Sequence, residues 1–127
     1  MTSISDRILF LCNSIPAKLR PLSEDEFSYR PAPDKWSKKE ILGHLIDSAT
    51  NNHQRFIRGQ YENSPVIFYD QTQWVQLQQF NTENKDTLIT FWELYNRHLA
   101  HIISVTPIGN LSKTCTGKDG ISYTLAF

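Results

Sequence analysis

The chain has 127 residues, which suits one domain of ordinary size. Thirteen Lys and Arg balance thirteen Asp and Glu, so the net charge is zero, and without a basic excess nucleic-acid binding is a poor reading. The 39% of hydrophobic residues, with three Trp, five Tyr and seven Phe, is too high for a disordered chain and can build a core.

The two cysteines, Cys12 and Cys115, are too few for a disulfide framework and read as reduced thiols of a cytoplasmic protein. The first apolar run, Ile8 to Cys12, is shorter than a signal-peptide core or a membrane span, so no membrane association is expected.

In chain order, Ile4, Ile8, Leu11, Cys12, Ile15 and Leu19 trace one face of a first helix. Pro16 inside that stripe predicts a kink or a division, and Pro21 an end. Residues 21–35, with Pro21, Pro31 and Pro33, read as a loop. Ser37-Lys38-Lys39-Glu40 is a capping box, with Trp36 placed to staple against Ile41. The helix it opens is predicted to run to Arg58-Gly59, glycine serving as the C-terminal cap, with Leu42, Leu45, Ile46, Ala49 and Phe56 buried. Residues 60–69 read as loop. Asp70 caps a short helix to Leu77, and the glutamines around it read as polar surface. A third long helix is predicted from about Asn84 to Ser104, burying Leu88, Phe91, Trp92, Tyr95, Leu99, Ile102 and Ile103. Thr106-Pro107 and Gly109-Asn110 break it. Residues 111–123 read as an irregular crossover with room for a short hairpin, and Ser122 to Phe127 as the start of a fourth helix, cut off. The predicted class is therefore all-α: a single four-helix-bundle domain with most of its fourth helix absent.

Chemistry is sparse. His44 and His53 lie nine apart on the second long helix, about 900° of turn, so they face opposite ways and cannot share a metal. His53 lies near the apolar stripe. His44 shares a face with Ser48, Asn51 and Arg55. That face is either a solvated surface or a polar cleft in which His44 is a metal ligand or a base. Asp47 sits about 300° around the wheel from His44, a neighbour rather than a set partner. His98 and His101 have a spacing that can bind metal, but their position on the wheel points outward. No Cys-x-x-Cys, His-Glu-x-x-His, phosphate loop or nucleophile elbow is present. The residues alone define a helical domain and no reaction.

A resemblance carries the reading further. The run from Arg30-Pro31-Ala32-Pro33-Asp34-Lys35-Trp36-Ser37 through Gly43-His44-Leu45-Ile46-Asp47-Ser48, continuing to Asn51, Arg55 and Phe56, resembles the DinB-like superfamily. It is most similar to the branch of bacillithiol transferases and metal-dependent hydrolases. Ile15 to Leu19, Tyr69-Asp70 with Trp74, and Tyr123-Thr124-Leu125 agree with it. The resemblance implies an up-down-down-up four-helix bundle. It also implies a divalent metal, zinc or nickel, held by three histidines. His44 matches the first; the other two come from a His-x-x-x-His pair on the fourth helix. A site of that kind leaves a position open for water or thiolate. The implied chemistry is thiol transfer or hydrolysis, on a small molecule or a low-molecular-weight thiol. Residues 1–127 contain no such pair, so weak or no metal binding is expected of them alone. Two expectations follow: either a further segment carries the pair and the fourth helix, or the bundle covers its apolar faces in a homodimer. The competing reading is a non-catalytic helical binding module without a metal.

Overall fold

A computed structural model describes residues 2–126, with side chains from Ile4 onward. Helix α1 (Thr2–Leu19) places Ile8, Leu11, Cys12, Ile15 and Leu19 on the core, as the stripe requires. It runs unbroken through Pro16. The proline removes one donor within a turn of the helix end, where the ladder is already closing, and its own carbonyl still accepts from Arg20 N at 2.9 Å.

The stretch expected to be loop contains a short helix, α2 (Glu24–Ser28). Ser23 and Glu26 form a second capping box that the proline-rich surroundings obscured, and Phe27 behind it is 1% exposed.

Helix α3 (Lys38–Tyr61) starts on the Ser37–Glu40 box as predicted. Its C-terminal cap is Glu62, not Gly59. Gly59 lies inside the helix because a Cβ there would come within 2.8 Å of Cys115 Sγ and of Leu125 Cδ2. Gly43, on the same helix, makes room for Phe80, whose ring a Cβ would overlap. Helix α4 (Gln71–Gln78) is capped by Asp70, whose carboxylate accepts from Gln73 N at 3.0 Å. Gln79, left-handed at φ 50°, turns the chain into the 3₁₀ turn Phe80–Thr82. Helix α5 (Lys85–Val105) is capped by Asn84.

Helices α1 and α3 both pack along α5. The sequence stripes are right except at three positions, one of them Ile4 on α1, which is 41% exposed. Leu45 is 44% exposed and Phe91 50%, whereas Ile89 and Ala100 are buried. On α5, α1 lies along the Cys12–Glu93, Asn13–Arg97 and Ser5–Ala100 contacts, which pulls the buried face toward Ala100 and away from Phe91. On α3, Phe80 fills the side of Gly43, and Asp47 is buried on that side too, so Leu45 turns outward.

The last segment is a hairpin, not a nascent helix. Strands β1 (Thr114–Thr116) and β2 (Ser122–Thr124) pair antiparallel, Thr114 opposite Thr124, Cys115 opposite Tyr123 and Thr116 opposite Ser122. The turn is fixed by Gly120 at φ 77° and by Asp119, which accepts from Ile121 N. Leu125, 2% exposed, then plugs the space left by Gly59. The three long helices of a bundle are therefore present, and no fourth long helix occurs among the described residues. The hairpin also anchors the chain that leads to the site: Thr116 bonds Pro65 and Ile67 through backbone hydrogen bonds of 2.8 and 2.9 Å. None of the described helices is long and apolar enough to cross a membrane.

Candidate functional site

The N-terminal half of α3 carries the unusual chemistry. Its start is held tightly. Ser37 Oγ accepts from Glu40 N, and Glu40 accepts from Ser37 N at 3.0 Å. The same carboxylate takes a bidentate pair of 2.8 Å bonds from Arg30. The Arg30 guanidinium, with help from Ser37, holds Glu40 below the ordinary carboxylate range.

One turn on, the half-buried His44 ring lies against Trp36, centroids 5.2 Å apart. The tryptophan expected to staple Ile41 thus backs the histidine. His44 Nδ1 is buried and has no hydrogen-bond partner. Asp47 is 3% exposed, and both its oxygens accept from Gln78 Nε2 at 2.9 Å. Burial pushes its carboxyl above the usual 3.8, against the opposing pull of Gln78 and of the nearby His44. The Tyr69 hydroxyl is buried beside Ser48 without closing a hydrogen bond of good geometry. Burial, and then the charge of Asp47, push its phenol up. His44 Nδ1 and Tyr69 Oη are the two buried side-chain polar atoms without a partner among the described residues. Such atoms cost stability and call for a reason, of which a missing ligand is one.

Of the cleft-lining candidates, Ser48 sits by Tyr69, and Asn51 lines a cavity of about 230 Å³ with Asp47, Arg58, Tyr69 and Trp74. Arg55 turns the other way, donating to the Thr124 carbonyl at 3.3 Å and to Asn52 at 3.2 Å beside the hairpin. His53 faces α5, its Nδ1 2.8 Å from Tyr95 Oη. His98 packs on His53 edge to face, and both His98 and His101 are exposed. Cys12 and Cys115 are buried free thiols, each within reach of a backbone carbonyl, and burial raises both.

Sequence reasoning did not single out the roles of Tyr69 and Gln78. A signal for Tyr69 existed: it immediately precedes the Asp70 cap and lies five places before Trp74 in the helix, the spacing of a hydrophobic staple, and the two rings meet at 5.4 Å. No sequence signal marks Gln78 among its neighbouring glutamines.

Whether these residues fit a metal has a mixed answer. An unpartnered, buried imidazole nitrogen at His44 has the chemistry of a zinc or nickel ligand. One imidazole is not a site, and no group of three His, Cys, Asp or Glu placed to hold a metal occurs among the described residues.

Solved structures identify the architecture. YfiT from Bacillus subtilis, described as a probable metal-dependent hydrolase with an unusual four-helix bundle topology, aligns with a TM-score of 0.77 at 19% identity. The alignment covers 95% of this chain and 73% of YfiT. The mycothiol-dependent maleylpyruvate isomerase aligns with a TM-score of 0.76 at 14% identity, over 99% of this chain and 53% of the isomerase. A variant of the same isomerase gives 0.76 at 12%. This chain therefore has the DinB-like helical-bundle fold, and it spans about half the length of the isomerase. No protein-family model and no curated protein matches it.

Proposed function

We propose that the protein is a metal-dependent enzyme of the hydrolase or thiol-transferase type, with His44 as one ligand of a divalent metal. The observation that carries this is the His44 ring itself: a nitrogen buried without a partner, backed by Trp36, on a fold shared with a probable metal-dependent hydrolase. The remaining donors would come from outside residues 2–126. A bound zinc or nickel ion with an open position supplies a Lewis acid that makes water or a thiol nucleophilic near neutral pH. The chain's own residues orient His44 through Trp36 and place the buried Asp47 carboxylate within electrostatic reach of it. The substrate class we infer is a small molecule or a low-molecular-weight thiol, in the cytoplasm, with a homodimer as the assembly.

The second reading is a helical binding module without metal. The absence of a three-donor group among the described residues favours it. Metal analysis of the natural full-length protein, purified without a chelating tag, separates the two. The enzyme reading expects close to one zinc or nickel per chain, lost in His44→Ala. A metal-free wild-type protein, or a His44→Ala protein with full metal content, would falsify the assignment.

A further inference from the structure

The cavity beside α3 has features that the metal reading does not use. It lies between α3 and the 66–74 segment, and its volume is about 230 Å³. Its lining is asymmetric in charge. Asp47, 3% exposed, is a deep carboxylate, while Phe68 at 53% and Trp74 at 41% stand nearer the rim. Tyr69 and Trp74 meet edge to face at 5.4 Å. The cavity has one cation, Arg58, and its charge is already matched. It forms a two-pronged pair with Glu62 at 2.8 and 3.1 Å and donates a further bond to Gln54. Asp47 has only the neutral amide of Gln78 as a hydrogen-bond partner. The cavity therefore carries an excess negative charge, deep in a wall with aromatic faces.

That combination selects a ligand. A buried carboxylate needs a positive partner, and aromatic rings attract a cation through their negative faces. The unpartnered Tyr69 hydroxyl adds a hydrogen-bonding group inside the same walls. An anion would meet the unmatched charge of Asp47, and a neutral apolar group would leave Asp47 and Tyr69 unanswered.

We propose that this cavity is a binding site for a small organic ammonium group, with Asp47 as counter-ion and Tyr69 and Trp74 as the aromatic wall. The inference is independent of the metal assignment. It concerns the face of α3 bearing Asp47, Asn51 and Arg58, and His44 is not among its lining residues.

The test is an NMR titration of the full chain with choline, its neutral isostere 3,3-dimethylbutanol, and acetate. Choline should give saturable shifts at the Trp74 indole and the Phe68 and Tyr69 amides, at least about tenfold tighter than the isostere. Asp47→Asn keeps the side-chain shape and should weaken choline at least about tenfold, whereas His101→Ala, at an exposed ring on α5 outside the cavity lining, should leave it unchanged. Should Asp47→Asn unfold the chain, Trp74→Leu serves instead and should cause a comparable loss. Equal binding of choline and the isostere, undiminished binding by the variants, preferential shifts with acetate, or no saturable shift at all would each overturn the proposal.

Discussion

The two halves of α3 are built by the same helix and do opposite things. The C-terminal half is closed. Gly59 admits Cys115 and Leu125, Arg58 and Glu62 neutralise each other, and Cys115 finds the Arg55 carbonyl. The N-terminal half holds most of the helix's buried residues but is left open: His44 Nδ1 and, beside Ser48, Tyr69 Oη have no partner, and Asp47 is a carboxylate in a place that disfavours its charge. Packing alone does not produce that difference, since both halves have close glycine contacts. Unpaired buried polar groups cost stability, so their concentration at one end makes that end the candidate site.

The largest expected effect that sharpens the comparison is at Gly43. Gly43→Ala sets a methyl against the Phe80 ring, itself 4% exposed. Set against the small gain in helix propensity, a loss of about 2–4 kcal/mol is expected in urea denaturation. Glu40→Gln comes next. It weakens the Arg30 pair and the capping box together, for about 1–2 kcal/mol near neutral pH. Because the folded pKa of Glu40 lies below its unfolded value of 4.5, that stability is present above 4.5 and is lost as pH falls through the folded pKa. The variant and the wild type should therefore converge in acid. Gly59→Ala should cost less, within about 1 kcal/mol, because its neighbours are the flexible ends of Leu125 and Cys115 and alanine favours the helix by about the same amount. If Gly59→Ala proved as damaging as Gly43→Ala, the two halves would not differ in how rigidly they are packed.

The smallest effect carries the opposite sign. Burial raises the pKa of Asp47, so its contribution is most favourable below 3.8 and is lost as pH rises through the folded pKa. Asp47→Asn removes that loss and should stabilise the protein by about 0.5–1 kcal/mol near neutral pH, with no gain in acid. A clear loss of stability at neutral pH would show that the buried carboxylate serves the fold rather than the site.

The sequence was a good guide where a local rule acts alone. The Ser37–Glu40 capping box and the 3.6-residue stripes gave the three long helices, and the Asp70 cap gave α4. It misled where tertiary contact decides. Gly59 has the look of a helix cap, and only the approach of the hairpin explains it. Ser122 to Thr124 is short enough to suit helix or strand, and pairing with Thr114 to Thr116 settles it. At the site, His44 was legible because its motif is local. Tyr69 and Gln78 come from 25 and 34 residues further on, through a turn anchored by the hairpin, and no spacing on α3 reports them.

The central claim is that the open half of α3, and His44 in particular, is the metal-seeking part of the molecule. The most direct test follows the imidazoles of the ¹⁵N-histidine-labelled natural full-length protein as zinc is added. The account predicts that the His44 ring nitrogens shift with the first equivalent of zinc, while His53, held by Tyr95, and the exposed His98 and His101 respond later. A response led by His98 and His101, with His44 unmoved, would contradict it.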